Sequence, residues 1–295
     1  MDAIALVSSA PVPQNLDVAL VEKIPLGGPY TTLTFRHPVV ARDARAGQFV
    51  MIKAGLSADP PLRRPFSILS TDPDSGTFTL FLKAVGAGSL ALAAMERGEP
   101  AQCLGPLGRP FDAPLEGTEA LMVAGGYGIA PFFMLSRELL KADRPGRVFY
   151  GGRTAADLQL RKPFQALGMP LVPATEDGSL GHRGRVTEPL ERHLDTVRGA
   201  VQLYACGPDA MLRAVARIAE ARGLPCQVSL DPWMGCGVGT CLGCVVWIQK
   251  ADEDRAKYRC ACTEGPVFDA SVVVWHGEAE SAARRSAQRR LEARA

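Results

Sequence analysis

Residues 233–249 read Trp233-Met-Gly-Cys-Gly-Val-Gly-Thr-Cys-Leu-Gly-Cys-Val-Val-Trp-Ile-Gln249. After a charged stretch, residues 258–268 read Tyr258-Arg-Cys-Ala-Cys-Thr-Glu-Gly-Pro-Val-Phe268. Four residues separate Cys236 from Cys241 and two separate Cys241 from Cys244. That is the spacing of three thiolates on a [2Fe–2S] cluster, with a fourth supplied from further along the chain. Three sulfurs reaching one small rhomb from a single loop require a tightly wrapped backbone, and Gly235, Gly237, Gly239 and Gly243 make room for it. Backbone N–H groups exposed in such a loop can stabilise the sulfur charge. The fourth thiolate is Cys260 or Cys262, both ahead of a turn that leads into a strand expected over 271–275. In an extended segment both point the same way, so periodicity leaves the choice open. The plainer readings are a zinc site or a group of reduced structural cysteines. Zinc sites usually pair cysteines as two close doublets, whereas the second gap here is a single residue.

Upstream of this loop the texture is α/β. Short apolar strands are expected over residues 120–124, 147–150, 171–174 and 201–205, with helices over 132–140 and from Met211 through Arg222. Such alternation implies a parallel sheet. The turns Gly125-Gly-Tyr-Gly128, Gly151-Gly-Arg153, Thr175-Glu-Asp-Gly-Ser179 and Cys206-Gly-Pro208 fall at the carboxyl ends of these strands, where open α/β sheets bind ligands. The first is not the G-x-G-x-x-G fingerprint. Gly125, Gly126 and Gly128 nonetheless let a pyrophosphate approach backbone amides at a helix start. The ordinary alternative is a tight strand-to-helix turn without a ligand. Thr187, before a helix expected at Glu188, reads as a cap. His182 and His193 read as isolated polar residues of surface or loop.

Further upstream, residues 18–22, 30–36, 48–53, 66–70 and 77–84 are β-branched or aromatic runs separated by Gly and Pro. Regular short strands of this kind suggest an antiparallel barrel or sandwich. A helix is expected over 89–96. Arg64-Pro-Phe-Ser67 places a fixed cation, an aromatic ring and a hydroxyl on a strand edge. The guanidinium fork suits a phosphate, and the ring can face another ring. Val85-Gly-Ala-Gly-Ser-Leu90 opens a helix, and helix N-termini attract anions. Separately these are a surface arginine and a common turn; together, in one barrel, they read as a flavin nucleotide site.

The limits expected are a leader over 1–15, an FAD-binding β-barrel over 16–112, an NAD-binding α/β domain over 113–225, a cluster domain over 226–277 and a polar tail over 278–295. Two or three domains suit 295 residues. A net charge of +2 implies neither a nucleic-acid nor an anionic-membrane partner. No apolar run is long enough to span a membrane, and the N-terminus lacks the basic start of a signal peptide. Cys103, Cys206 and Cys226 are scattered rather than arranged as a disulfide framework, so a reducing, cytoplasmic compartment is expected. No His–carboxylate or Ser–His pattern suggests acid–base work on an organic substrate. Nicotinamides give up two electrons at once and iron–sulfur clusters take one at a time. A flavin does both, so the order of parts reads as a ladder from NAD(P)H through flavin to cluster to partner.

Arg64-Pro-Phe-Ser67, Gly86-Ala-Gly-Ser89, Gly105-Pro-Leu-Gly108, Gly125-Gly-Tyr-Gly128, Cys206-Gly-Pro208 and the cysteine loop stand in the order of the ferredoxin–NADP reductase superfamily. With the loop at the C-terminal end and Cys262-Thr-Glu-Gly-Pro-Val-Phe268 after it, the chain resembles the electron-transfer subunits of NAD-dependent dihydroorotate dehydrogenases, over roughly residues 16–275. The resemblance implies that Arg64, Pro65, Phe66 and Ser67 hold the FAD pyrophosphate and flavin edge. Phe81, Leu82 and Lys83 would line the flavin and ribityl side, and Gly88 and Ser89 would contact phosphate. Cys206 would sit near the nicotinamide–flavin contact, with Gly207 and Pro208 on the NAD(H) side. Cys262 matches the fourth ligand beside Cys236, Cys241 and Cys244. The implied partner is a catalytic FMN subunit that interconverts dihydroorotate and orotate in pyrimidine synthesis, assembled with this chain as a heterotetramer. Three features depart from the pattern: Asp231-Pro-Trp-Met234, where the family carries a more charged run; the extra Cys260; and the residues past Gly277. The same architecture serves diaphorase subunits of hydrogenases and ferredoxin-linked transhydrogenases. A zinc-stabilised binding protein without redox function is the reading from another class. Arg153 could meet a ribose 2′-phosphate, while the resemblance favours NADH.

Overall fold

The computed structural model describes residues 14–56 and 61–275. Most of the expected leader and the whole polar tail lie outside these residues.

Six antiparallel strands close a barrel: β1 (Gln14–Gly27), β2 (Tyr30–Arg36), β3 (Phe49–Ala54), β4 (Arg64–Asp72), β5 (Thr77–Lys83) and β6 (Pro100–Leu107), in the spatial order β1-β2-β5-β4-β3-β6. Closure pairs every strand on both sides and leaves no edge to aggregate. Helix α1 (Pro38–Asp43) follows β2, and α2 (Ala87–Ala94) follows β5. The latter begins two residues before the expected position, because the Ser89 hydroxyl accepts the Val85 and Gly86 N–H groups at 3.0 and 3.1 Å and closes the turn earlier. Two faces of β3 serve different cores. Val50 and Ile52 point into the barrel, while Phe49 and Met51 point out toward the C-terminal segment.

The second sheet holds β7 (Glu119–Gly125), β8 (Gly146–Gly152), β9 (Leu171–Thr175), β10 (His182–Arg183), β11 (Val201–Cys206) and β12 (Cys226–Ser229), all parallel. Helices α3 (Ala130–Lys141), α4 (Arg161–Leu167), α5 (Thr187–Thr196) and α6 (Asp209–Arg222) cover its faces. The alternation along β7 shows how. Ala120, Met122 and Ala124 pack with Phe132, Leu135 and Phe164 on one side; Leu121 and Val123 pack with Leu190, Leu212 and Val215 on the other. Helix α5 starts at Thr187 without a side-chain cap; Glu188 instead accepts the Arg185 N–H at 3.0 Å. Thr187 is therefore the first helical residue and not a cap. Neither histidine is isolated: His182 lies 2.7 Å from Glu188 and 2.8 Å from Arg192, and His193 lies 3.3 Å from Glu119.

The C-terminal segment carries the hairpin β13 (Val245–Ile248) and β14 (Lys257–Cys260), the single turn α7 (Ala261–Glu264) and β15 (Val267–Asp269). The sheet continues past the limit expected at residue 226, since β12 runs beside β11 and β15 adds antiparallel to β12. The strand expected over 271–275 is displaced. Asp269 accepts the Ser271 N–H at 2.8 Å and closes a 3₁₀ turn over Ala270–Val272, so the strand lies earlier, at β15. Among the described residues no helix is long and apolar enough to cross a membrane.

Candidate functional site

Two cavities flank the seam between barrel and parallel sheet. The first, about 360 Å³, is lined from the barrel by Arg64, Pro65, Phe66, Ser67, Phe81, Leu82, Lys83 and Ser89. From the sheet it takes Gly128, Cys206, Gly207 and Pro208, and from the C-terminal segment Asp231, Met234 and Pro266. The second, about 450 Å³, is lined by Gly125, Gly126, Gly151, Gly152 and Arg153 and by the start of α5. Lys83, Tyr127 and Pro208 line both and form the shared wall. Gly88 lines neither. Its Cα sits so close to Arg64 that an added Cβ would lie 2.6 Å from the guanidinium Nε, so the N-terminus of α2 abuts the cation. The Ser89 hydroxyl is engaged within its own turn, which leaves the helix start and Arg64 as the anion-directed groups there.

Gly128 explains why the two strand-end turns can meet. A Cβ at this position would press into the Cys206 carbonyl, 2.6 Å from its carbon and 2.8 Å from the Gly207 nitrogen. Only glycine permits the turn after β7 to lie against the turn after β11. Cys206 is buried at the resulting junction. Burial, and then the Asp231 carboxylate, push its thiol up from 9.0 to about 12, against a hydrogen bond with Ser229. Burial and Asp209 likewise raise Asp231. Cys206 therefore presents a neutral thiol to the first cavity. Tyr127, Asp231 and Met234 escaped the sequence reading because nothing in their local spacing marks them; only the folding of three segments onto one cavity does.

The cysteine loop lies against the outward face of β3. Four backbone amides donate to its sulfurs: Val238 and Cys241 to Cys236 Sγ at 3.4 Å each, Gly243 to Cys241 Sγ at 3.4 Å, and Gly239 to Cys262 Sγ at 3.2 Å. Burial alone would raise the Cys236 thiol, but the Val238 and Cys241 amides and the Cys241 thiol bring it from 9.0 down to about 6. Burial and the adjacent Cys244 thiol push Cys262 up to about 12, with the Gly239 amide opposing. The Cys241 thiol lies against Cys236, and the Cys260 and Cys262 thiols both lie against Cys244. Cysteines gathered at one loop, with backbone amides donated to Cys236, Cys241 and Cys262, suit a [2Fe–2S] cluster.

Cys260 differs from Cys262. It ends β14, is only half-buried, and its thiol points at the Gly239 carbonyl, 3.9 Å away. Cys262 is buried within α7 and receives an amide. The helical turn between them removes the expectation that both face the same way.

An antiparallel barrel, a parallel nucleotide sheet and a cysteine-loop segment, meeting at one cavity, define a pyridine-nucleotide oxidoreductase with its own iron–sulfur domain. Residues 122–217 match the oxidoreductase NAD-binding domain, and residues 231–274 match the iron–sulfur cluster binding domain of dihydroorotate dehydrogenase B. The chain is 38% identical over 243 residues to the electron transfer subunit of dihydroorotate dehydrogenase B (NAD(+)) from Desulforamulus reducens, covering 82% of this chain and 92% of that one. It is 39% identical over 245 residues to the Bacillus caldolyticus subunit, covering 82% and 91%. The chain belongs to this family of electron transfer subunits. A chain of the NADH-dependent reduced ferredoxin-NADP oxidoreductase superposes with a TM-score of 0.77 at 28% identity, over 91% of this chain and 97% of that one. Phthalate dioxygenase reductase shares the fold alone, with a TM-score of 0.59 at 15% identity over 84% and 94%.

Proposed function

We propose that this chain passes electrons between NADH and a catalytic subunit by way of FAD in the first cavity and a [2Fe–2S] cluster in the cysteine loop. The partner is the FMN-containing subunit that interconverts dihydroorotate and orotate in pyrimidine biosynthesis, assembled with this chain as a heterotetramer in the cytoplasm. The observation that carries the reading is that barrel, sheet and cluster segment all contribute side chains to the first cavity. Bound there, a flavin would supply the conversion between the paired electrons of a nicotinamide and the single electrons that iron accepts.

The residues divide the work. Arg64 and the start of α2 offer positive charge to the FAD pyrophosphate, while Phe66, Ser67, Phe81, Leu82 and Lys83 border the ring and ribityl chain. Gly125, Gly126, Gly207 and Pro208 leave room for NADH along the sheet's carboxyl edge, and Gly128 keeps the two turns in contact. Cys206, neutral and buried, excludes water and adds no charge where the nicotinamide meets the flavin. Cys236, Cys241, Cys244 and Cys262 hold the cluster. The domain limits that follow are 14–112 for FAD, 113–230 for NAD(H) and 231–275 for the cluster.

Trp233, Val238 and Leu242 are exposed around the cysteine loop, at 91%, 43% and 62%, and offer an apolar rim for the catalytic subunit. The likeness to the ferredoxin-NADP oxidoreductase chain favours a second reading, a diaphorase subunit serving another oxidoreductase. Reconstitution with the catalytic flavoprotein of the same organism separates them. NADH-dependent orotate reduction is expected. Retrieval of an unrelated oxidoreductase as the bound partner, with no orotate turnover, would replace the first reading by the second.

A further inference from the structure

The wall shared by the two cavities contains a polar contact that crosses from barrel to sheet. Asp157 closes the short turn Ala155–Asp157, just after the Gly151-Gly-Arg153 floor of the second cavity. Its Oδ2 accepts the Thr154 N–H at 3.2 Å, which holds its own turn. Its Oδ1 accepts the Tyr30 hydroxyl at 2.7 Å, and Lys83 Nζ lies 3.6 Å from the same oxygen. Tyr30 comes from β2 and Lys83 from β5, so two barrel strands converge on one carboxylate of the sheet.

The contact is braced on both sides. The Lys83 ammonium lies 5.0 Å from the Tyr30 ring centroid, and that ring stacks on Phe81 with centroids 5.8 Å apart. Phe81 in turn lines the first cavity. On the sheet side, the Tyr150 hydroxyl donates to the Asp157 carbonyl at 3.1 Å. Burial works against the Asp157 carboxylate, but the Tyr30 hydroxyl, the Thr154 amide and Lys83 outweigh it and hold it below its ordinary value. A line of packed and hydrogen-bonded groups therefore runs from the first cavity through Phe81 and Tyr30 to Asp157, which itself lines the second.

We propose that Tyr30, Lys83 and Asp157 form a clasp that sets the position of the 151–157 segment against the barrel, and that Asp157 is a positioning residue for hydride transfer between NADH and FAD. This rests on the reading that the two cavities take these nucleotides. Hydride transfer requires the donor and acceptor atoms at near-contact distance, and small displacements slow it steeply. The two nucleotides sit on different sheets, so a tie between those sheets at their shared wall governs that distance. The Lys83–Asp157 pair is partly solvated and contributes little alone. The charge-assisted bond from Tyr30, whose side chain is buried, carries most of the effect.

The test uses the full chain loaded with FAD and iron, as wild type, Asp157→Asn and Tyr30→Phe. Anaerobic stopped-flow bleaching of the flavin by NADH is compared with bleaching by dithionite, and amide hydrogen exchange is followed over residues 151–157. Both variants are expected to slow NADH-driven bleaching about tenfold or more, the size of a lost charge-assisted hydrogen bond. Exchange over 151–157 should quicken, with FAD content, iron content and dithionite bleaching unchanged. Wild-type bleaching and exchange in both variants would overturn the clasp, as would equal slowing with NADH and dithionite. If Asp157→Asn does not retain FAD, Tyr30→Phe decides alone, since it removes one oxygen and keeps the ring stack. Failure of the underlying reading looks different: loaded wild-type protein would not be bleached by NADH at all.

Discussion

Gly237→Ala is the perturbation that most directly tests how the cysteine loop is seated on the barrel. Gly237 has φ +78°, and a Cβ there would lie 2.6 Å from Met51 Cγ and 3.0 Å from Leu107 Cδ1. Both neighbours are fully buried, on β3 and β6. Left-handed backbone costs alanine about 1–2 kcal/mol, and forcing a methyl into a packed core typically adds about 1–3 kcal/mol. Met51 is unbranched and yields more readily than its neighbours, so a total of about 2–3 kcal/mol is expected. Gly239→Ala is the internal control. Its φ is +79°, but the nearest atom is Thr263 Cγ2 at 3.2 Å, the end of an exposed side chain. It carries the strain without the core clash, about 1–2 kcal/mol. Thermal unfolding followed by circular dichroism and by loss of cluster absorbance resolves the two, with Gly237→Ala lowering Tm by about 5–10 °C and Gly239→Ala by about half as much. The displaced loop also moves the cluster away from the flavin cavity, so reoxidation of reduced flavin by the cluster should slow in Gly237→Ala only. Coincident melting curves for the two variants would refute the placement of the loop on Met51 and Leu107.

Cys262→Ser is expected to lose bound iron and the low-temperature paramagnetic signal of the reduced protein, while Cys260→Ser keeps both; the reverse pattern would transfer the fourth ligand to Cys260. The buried thiols of Cys103, Cys206 and Cys226 are each pushed up from 9.0 to about 12, burial being the first cause in all three. The unfolded chain therefore releases these protons first. The stability they contribute is fully present below pH 9 and is lost as pH rises from about 9 toward about 12, so Tm measured across that window should fall steadily. For the same reason, iodoacetamide should label Cys206 far more slowly at pH 8 than an exposed cysteine; labelling at the ordinary thiol rate would show that its pocket is open to the reagent.

Local composition was enough for the broad architecture. Five barrel strands, the leading strands of the parallel sheet and helices α3 and α6 are marked by β-branched, aromatic or apolar runs with Gly and Pro turns between them, and these signals are local. The cysteine spacing was legible for a related reason: three sulfurs on one rigid cluster leave a fixed interval in a single loop. Chain positions that depend on distant partners were not legible. Strand β12 is four residues long and is a strand because β11 lies beside it; β15 exists only against β12. Asp269 moved the final strand by capping a turn. Cys260 and Cys262 could not be told apart by interval, since a helical turn and one amide from Gly239, 23 residues away, separate their roles. Locally Asp157 reads only as the close of the turn that Thr154 opens; its bond to Tyr30, 127 residues earlier, is made across the seam. Short-range order is written in the sequence because neighbouring residues share one backbone. The site was decided by tertiary structure, because its working groups come from three segments that share only a surface.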